Sequence, residues 1–351
     1  MRFIIDPRIM YNYATFYLLG LERICPKVDV KYDIRPFKDI PYTITEQYRR
    51  GMAILIVDKS ISHKVYIDFS DRCDIMEAQY DWAHLYCKIN VKEGDLLKFD
   101  KLMVIGPSFG VRKGTIISAL FRCMSNMKLA NGYMTIPRYS YFRDYLYPIY
   151  RREQYKKYEK EVNIDDNYIF HASTLWYDKD TDATTNRYRG DFLQCCKELG
   201  VKIGGGLFYI NDPVVLKEFP NYANYLERYK DFLYKKRLSM KEYINETKRS
   251  FVVFNTPSVA GCHGWKLPEY LCMGKAIIST PLSREMPGKG LVHGENIHIV
   301  NSTEEIREAI SLIREDKGYR QKLMQGAKKY YDDYLAPEVV MHRIIDRCKE
   351  L

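Results

Sequence analysis

Short apolar segments alternate with segments of helical periodicity over the first 130 or so residues. The apolar segments have the length of strands and end at charged or glycine-containing turns; they are residues 3–5, 53–57, 65–69 and 102–105. Apolar residues recur every three to four positions in residues 10–24 and 115–129, which predicts amphipathic helices there. Strands that alternate with helices in this way are typical of a parallel α/β sheet.

The second half of the chain repeats this alternation after a polar interruption. Residues 139–161 form a tyrosine-rich pattern that predicts a long helix, and residues 163–167 predict a linker. The strands predicted after the linker are residues 168–172, 201–203, 250–254 and 276–279, and the helices are residues 186–199 and 265–273. We therefore predict two α/β domains, residues 1–163 and 164–336, with a ligand cleft between them.

The composition fits two packed domains in a reducing compartment. Of the 351 residues, 46% are apolar and 14% are aromatic, which supplies enough material for two cores. No apolar run reaches the roughly 18–20 residues of a membrane span, and an acid, Asp6, stands where a signal peptide would continue its apolar stretch. The nine cysteines form no Cys-x-x-Cys pair, so we expect reduced thiols, no zinc site and a cytoplasmic protein.

The formal net charge of +10 predicts an anionic partner. The phosphates of a nucleotide-sugar, the anionic inner face of a membrane and nucleic acid all meet this requirement, and charge alone does not choose among them. The 31 tyrosines would suit stacking on single-stranded nucleic acid. However, the basic stretches interleave with acids at helical spacing, which is typical of solvated helix faces, and we do not expect nucleic acid as a partner.

The segment most informative about chemistry is residues 255–275. A predicted strand ends at its first residue, a loop with Gly261 and Gly264 follows, and a helix begins close to Lys266. Free backbone amides at the start of a helix attract phosphate. Because Lys266 and Glu269 are three residues apart, they share a helix face. This pair suits a nucleotide diphosphate, with the lysine on the phosphates and the carboxylate on both ribose hydroxyls.

This strand, loop and helix resemble the donor-binding signature of GT-B glycosyltransferases, and they are most similar to glycosyltransferase family 4 and related capsule or lipopolysaccharide transferases. The resemblance covers residues 170–351. In that family two glutamates stand eight positions apart, and the second, which binds the ribose, matches Glu269. The first falls on Gly261, so we predict that His263 takes over the contact with the sugar.

A second match to the same family lies at residues 185–191, where members place two basic residues before a glycine to neutralise the donor diphosphate. Arg187 and Arg189 hold these positions. The residues implied to bind the nucleotide-sugar are therefore Glu269, Lys266, Arg187, Arg189, Gly264 and Gly261. The residues implied to be catalytic are His263, Lys266 and Arg189.

The resemblance also implies an architecture and a reaction. The fold would be GT-B, with two facing Rossmann-like domains and a terminal helix, within residues 337–351, that crosses back onto the first domain. The enzyme would transfer a sugar from a nucleotide-sugar to a glycan or lipid-linked saccharide in cell-surface polysaccharide synthesis, with retained anomeric configuration. An anionic membrane surface is a further expected partner. The alternative is a catalytically weakened GT-B protein that binds nucleotide or glycan within a biosynthetic assembly, as Gly261 in place of glutamate suggests.

A metal or cofactor is not expected. Asp178, Asp180 and Asp182 mimic the Asp-x-Asp metal motif of the other large transferase class, but no apolar strand leads into them. We therefore predict a loop there and a metal-independent reaction, in which cationic side chains supply the positive charge.

Two glycine-rich segments are further candidates for anion binding. Residues 204–206 are three glycines without the Lys-Ser/Thr of a phosphate loop, and they predict a tight turn. The loop 106–110 is followed by Arg112 and Lys113 and then by a predicted helix. This second loop is the better candidate.

Overall fold

A computed structural model of the chain describes residues 1–24, 29–40, 51–59, 61–177, 183–236 and 238–351. The strands are β1 (Arg2–Ile5), β2 (Asp29–Tyr32), β3 (Gly51–Asp58), β4 (Ile61–Asp68), β5 (Leu85–Lys88), β6 (Leu102–Val104), β7 (Tyr168–Thr174), β8 (Lys202–Phe208), β9 (Leu233–Tyr234), β10 (Val253–Asn255), β11 (Ile277–Ser279) and β12 (His298–Ile299). The helices are α1 (Tyr11–Ile24), α2 (Glu77–Trp82), α3 (Ile116–Leu129), α4 (Arg138–Arg151), α5 (Lys156–Glu159), α6 (Ala183–Glu198), α7 (Pro213–Glu218), α8 (Pro220–Arg228), α9 (Met240–Arg249), α10 (Lys266–Cys272), α11 (Thr303–Glu315), α12 (Lys317–Tyr330) and α13 (Pro337–Lys349).

The chain divides into two compact units. The first unit is made of Met1–Tyr155, Glu285–Gly288 and Asp332–Leu351. The second unit is made of Lys156–Arg284 and Lys289–Tyr331. The α/β fold class predicted from the sequence is confirmed, because each unit combines helices with parallel strand pairs. The terminal helix α13 is part of the first unit.

The first unit contains a six-stranded sheet in the order β2-β1-β3-β4-β5-β6. β1 is parallel to β2, and β4, β5 and β6 are mutually parallel. β3 is antiparallel to both β1 and β4, which corrects the prediction of a wholly parallel sheet. The reason is the connection: two residues, 59 and 60, separate β3 from β4, and a parallel pair needs a crossover of a dozen residues or more.

The long helix predicted over residues 139–161 is also corrected. The structure has α4 and α5 there instead, because Arg152 takes an extended conformation (φ −128°, ψ 161°) and ends α4. Pro148 lies in the last turn of α4 and removes one helix donor just before this break.

The second unit contains two three-stranded parallel sheets, β9-β8-β7 and β10-β11-β12. β7 and β10 come together where the Phe251 amide donates to the Tyr168 carbonyl at 3.0 Å. Counted within the unit, the strands then follow the order third, second, first, fourth, fifth, sixth. This is the order of the Rossmann fold, which binds ligand where the direction of strand addition reverses, here between β7 and β10.

The three glycines predicted to form a tight turn lie inside β8. A side chain at Gly204 would overlap the hydroxyl of Tyr168 on the neighbouring strand. Gly205 has a φ of +79°, which residues with a side chain rarely adopt. The glycines therefore serve close strand packing, and the prediction of a turn was wrong.

The core of the second unit fixes the position of the two central strands. Ile169 of β7, Phe254 of β10 and Phe192 of α6 are almost completely buried, and the Phe192 and Phe254 rings stack with centroids 4.6 Å apart. Full burial of side chains of this size stabilises a fold by about 1.5–3 kcal/mol each. No helix in the described part of the chain is long and apolar enough to span a membrane.

Candidate active site

A cavity of about 120 Å³ lies in the second unit at the carboxyl ends of β7 and β10. This is the edge at which parallel α/β sheets bind their ligands, and it coincides with the reversal of strand order. The residues that line the cavity are Ala172, Ser173, Thr174, Trp176, Arg189, Phe254, Asn255, Thr256, Ser258, His263, Gly264, Trp265 and Lys266. Three of the residues predicted for catalysis, His263, Lys266 and Arg189, are thus brought together.

The loop between β10 and α10 forms one wall of the cavity. Ala260, Gly261 and Gly264 have positive φ values of 54°, 67° and 65°, so the chain turns sharply three times within five residues. Arg284 donates to the carbonyl of Ala260, and the Ser283 hydroxyl donates to that of Gly261 at 2.6 Å. These bonds hold the loop in one shape at the strand ends.

Lys266 is the first residue of α10, and its ammonium group points back to the end of β7. Nζ donates to the Ala172 carbonyl and, at 2.8 Å, to the Ser173 hydroxyl. The pKa of Lys266 is lowered to about 7, mainly by burial and also by the charge of Arg189, while the charge of Glu269 acts in the opposite direction. At neutral pH this lysine is therefore close to its titration midpoint, where a nearby anion would favour the charged form.

Arg189 lies on α6 and spans the ends of both central strands. Its Nε donates to the Thr256 hydroxyl at 2.9 Å, and its Nη1 donates to the Thr174 carbonyl at 2.6 Å. Burial lowers the pKa of Arg189 to about 10, so the guanidinium is charged at neutral pH.

Arg187, the other predicted basic residue, does not line the cavity. Its guanidinium lies 4.7 Å from the centroid of the Tyr188 ring, and the Tyr188 hydroxyl donates to the Asn301 carbonyl. The spacing of two residues on a helix sends Arg187 and Arg189 to different sides. Of the two arginines, Arg189 lines the cavity, and a contact between Arg187 and the donor diphosphate remains a prediction.

The charge of these cations is not neutralised locally. Within the described part of the chain, neither Lys266 nor Arg189 forms an ion pair with a carboxylate. Burying an ammonium or guanidinium without a counterion is costly. The cavity is therefore a site of uncompensated positive charge, suited to a phosphate or diphosphate.

Glu269 is placed differently from the prediction. The residue is completely buried, does not line the cavity, and its Oε1 accepts a hydrogen bond from the Tyr158 hydroxyl at 3.1 Å. In this arrangement the Glu269 carboxylate is packed inside the protein, and its contact with a ribose remains a prediction. What Glu269 does supply is negative charge, which raises the pKa of Lys266.

Of the three predicted residues in the loop, two line the cavity and one does not. His263 is 2% exposed and lines the cavity, as does Gly264, whereas Gly261 does not. A Cβ on Gly261 would lie 3.0 Å from a nitrogen of Arg284, and its φ of +67° disfavours any larger residue. The position that the family fills with glutamate is therefore occupied here by a residue that shapes the loop.

His171 is a buried residue next to the cavity wall that the sequence did not indicate; it precedes Ala172 and does not itself line the cavity. It is 1% exposed, packs on the Phe192 and Phe254 rings, and neither ring nitrogen has a hydrogen-bond partner among the described residues. Burial lowers its pKa well below the usual value, and the charges of Lys266 and Arg189 act in the same direction. Its position inside an apolar strand gave no sequence signal. The same holds for Ser173 and Thr256, whose hydroxyls anchor the cations.

The remaining candidates for anion or metal binding have less support. Lys113, beside the loop 106–110, pairs with Glu22, so its charge is already compensated. Asp178, Asp180 and Asp182 lie outside the described residues. Over the part of the chain that the structure describes, no group of three or more His, Cys, Asp or Glu side chains is arranged to hold a metal ion.

Comparison with known proteins adds similarities of fold. No protein-family model matches the chain, and no curated protein sequence matches it. A glycosyltransferase from Rickettsia africae ESF-5 has a similar structure, with 13% identity and a TM-score of 0.41 over 79% of this chain and 68% of that one. HepE from Anabaena, solved in complex with UDP and glucose, has 12% identity and a TM-score of 0.44 over 78% of this chain and 65% of that one.

A third similar structure covers about half of this chain. It is the C-terminal domain of LpcC, a glycosyl transferase group 1 family protein of Francisella tularensis, with 15% identity and a TM-score of 0.34 over 52% of this chain and 93% of that domain. The chain thus spans about two thirds of the length of the first two proteins. Similarity at these identities and TM-scores gives no information on substrate or reaction.

Proposed function

We propose that this chain is a GT-B-type glycosyltransferase that takes a sugar from a nucleotide-sugar donor, with the donor diphosphate bound in the cavity of the second unit. The observation that carries the proposal is a pair of cations without a carboxylate partner, the half-buried Lys266 and the buried Arg189, at the reversal of a Rossmann strand order. A cavity of about 120 Å³ is smaller than the roughly 300–1,000 Å³ of most ligand pockets. It therefore suits the charged centre of a donor rather than the whole molecule.

The chemistry follows from these charges. When the bond between the sugar and the diphosphate breaks, negative charge grows on the departing diphosphate. Fixed cations in a water-poor site stabilise that charge more than they stabilise the donor before reaction, which lowers the barrier. Ser173 and Thr256 hold the two cations in place through hydrogen bonds of 2.8 and 2.9 Å, so little reorganisation is needed.

His263 and Gly264 are the proposed contacts to the sugar end of the donor. Both line the cavity on the loop that precedes α10, and His263 comes two residues after the glycine that replaces the family's first glutamate. A histidine can donate to or accept from a ring hydroxyl, according to its tautomer. We assign this role to His263 on its position.

The acceptor class, the stereochemistry and the absence of a metal are also proposals. The acceptor would be a glycan or lipid-linked saccharide in cell-surface polysaccharide synthesis, and the anomeric configuration would be retained, as the sequence resemblance implies. The nucleotide-sugar is a substrate, and no metal or other cofactor is proposed, because Lys266 and Arg189 can supply the positive charge.

The test is thermal-shift screening of the full chain against UDP-, GDP-, ADP- and CMP-linked sugars, followed by donor hydrolysis without acceptor. We expect one nucleotide series to raise the unfolding temperature in the wild type and not in Lys266→Met. Activity should survive EDTA; a strict need for added manganese or magnesium would refute metal independence. No response to any nucleotide-sugar would refute the proposal.

The alternative, a weakened GT-B protein that binds nucleotide or glycan in an assembly, is favoured by Gly261 alone. It predicts the same thermal shift but no hydrolysis or transfer. Turnover that is lost in Lys266→Met would exclude it.

A further inference from the structure

The helix α3 of the first unit presents its large apolar side chains to solvent. Its buried positions are small or polar: Ala119, Cys123 and Asn126. Its exposed positions include Ile117, Phe121 and Met124, which are 75%, 72% and 53% exposed. These three are four and three residues apart, so they form one continuous ridge along the helix. Folding alone would favour the reverse orientation, since burial of such side chains is the main stabilising term.

The ridge lies in a stretch of the chain that carries only positive charge. Residues 111–143 contain no Asp or Glu, and their basic residues are Arg112, Lys113, Arg122, Lys128, Arg138 and Arg143. Lys128 follows Met124 by four positions and therefore continues the ridge. Arg122 lies next to Phe121 in sequence, and its guanidinium stacks 4.6 Å from the centroid of the Tyr32 ring.

We propose that the α3 ridge (Ile117, Phe121 and Met124, with Lys128) binds the surface of an anionic lipid bilayer. The apolar side chains would enter the boundary between headgroups and acyl chains, and the basic side chains would meet lipid phosphates. A helix of 14 residues is about 21 Å long, so it can lie in the membrane plane with all three apolar side chains inserted.

Charge complementarity favours a bilayer over a second copy of this chain. A symmetric dimer through this face would bring the same patch together from both subunits. The basic residues of α3 itself, Arg122 and Lys128, would then face their copies, and like charges across an interface are unfavourable. An anionic membrane satisfies both the apolar ridge and the charge, and the assignment does not depend on transferase activity.

The experiment measures binding of the full chain to vesicles of phosphatidylcholine alone and of phosphatidylcholine with phosphatidylglycerol. We expect binding to the anionic vesicles only, and weaker binding as salt rises from about 0.05 to 0.5 M, because the Debye length falls to a few Å. The double variant Ile117→Ser with Phe121→Ser should bind at least about tenfold more weakly. Lys128→Glu should weaken binding by about fivefold or more.

Two control variants test whether binding depends on the ridge itself rather than on any exposed apolar or basic residue of the unit. Leu97 is 93% exposed in the same unit, and Lys92 is exposed there too, so Leu97→Ser and Lys92→Glu should bind like the wild type. Wild-type binding by the double variant would overturn the proposal, and so would equal binding to neutral vesicles. A dimer in solution that the double variant dissociates, without any vesicle binding, would instead identify the face as a contact between copies.

Discussion

Each unit holds a lysine at the carboxyl edge of parallel strands, but its surroundings differ: Lys88 in the first unit is completely buried and paired, and Lys266 in the second is half-buried and has no carboxylate partner. In the first unit, Lys88 at the end of β5 donates to Asp68 at the end of the neighbouring β4 at 2.5 Å, and both side chains are completely buried. Tyr86 and the Ser70 amide complete the bonding of that carboxylate. In the second unit, Lys266 donates only to a carbonyl and a hydroxyl.

The difference is between a lysine whose charge is neutralised by a carboxylate and a lysine that can still bind an anion. A buried cation with a carboxylate at bonding distance is satisfied and attracts no further anion. A buried cation on neutral oxygens still lacks a countercharge, so any anion that enters gains the full interaction. The comparison therefore identifies the anion site by two features together: the lysine has no carboxylate partner, and it lines the cavity.

The largest expected effect is on stability, in the first unit. Asp68→Asn would leave Lys88 buried without a countercharge, and breaking a buried pair in this way costs about 3–5 kcal/mol. For a unit of this size the thermal midpoint should fall by about 10 °C. Differential scanning calorimetry of the full chain would measure it.

An exposed pair provides the control for this variant. Lys197 and Asp231 form an ion pair at 2.8 Å with side chains that are 54% and 60% exposed, so Asp231→Asn should cost less than about 1 kcal/mol. Adding Lys88→Met to Asp68→Asn should recover part of the lost stability. An Asp68→Asn protein as stable as the wild type would mean that Lys88 is not held as a charge.

The next effect is on binding, in the second unit. Lys266→Met should weaken pyrophosphate and nucleoside diphosphate binding about ten- to hundredfold, corresponding to a lost charge-assisted bond of roughly 1.5–3 kcal/mol. The variant also removes the bonds of Lys266 to Ala172 and Ser173, so we expect the thermal midpoint of the free protein to fall slightly, as in the control variant below. Isothermal titration calorimetry measures the affinity.

Lys275 is a matched control for this variant. It is buried, and burial likewise lowers its pKa to about 7, but its Nζ donates to the carbonyls of Lys248 and Ser250 and does not line the cavity. Lys275→Met should lower stability, because it leaves those carbonyls without their donor, and should keep the affinity. Equal loss of affinity in both variants would refute the assignment of the site.

Apolar periodicity and glycine punctuation are local signals, and they predicted eight of the twelve strands in the described part of the chain and the loop that carries His263 and Lys266. The short strands β2, β5, β9 and β12 were not predicted. The antiparallel pairing of β3 with β4 follows from the two-residue connection between them, which is also a local signal. Two other features depend on residues distant in the sequence and were not predictable. The anchoring of Lys266 by Ser173 depends on how β7 and α10 pack, and the burial of Glu269 depends on Tyr158, 111 positions earlier in the sequence.

A smaller effect is expected from pH. The pKa of Lys266 is about 7 in the free protein, and a bound diphosphate would raise it, so binding above pH 7 must take up a proton. Affinity should therefore be constant only well below the pKa, be about twofold weaker at pH 7, and fall by roughly a further fivefold between pH 7 and 8. Stability of the free protein should change in the opposite sense, rising over this range, because the unfolded lysine keeps its proton until about pH 10.5.

Titration calorimetry in buffers of different ionisation enthalpy would detect the proton directly. Lys266→Arg keeps a cation that does not titrate in this range, so its affinity should be independent of pH from 7 to 8. If the wild type shows no proton uptake while the arginine variant binds normally, Lys266 is charged throughout, and its pKa lies above this range.

The smallest effect is expected at Glu269, where the sequence analysis and the structure assign different roles. Its carboxylate is buried, accepts from Tyr158 and acts on the cavity only through its charge, which raises the pKa of Lys266. Glu269→Gln should therefore lower the fraction of charged Lys266 and weaken anion binding only about twofold at pH 7, and not at all near pH 6. The loss should be equal for pyrophosphate and for a nucleoside diphosphate, because neither touches Glu269. A carboxylate that held both ribose hydroxyls would instead give a ten- to hundredfold loss for the nucleoside diphosphate alone. Titration of the folded variant with both ligands at the two pH values shows whether Glu269 acts by raising the pKa of Lys266 or by binding the ribose hydroxyls directly.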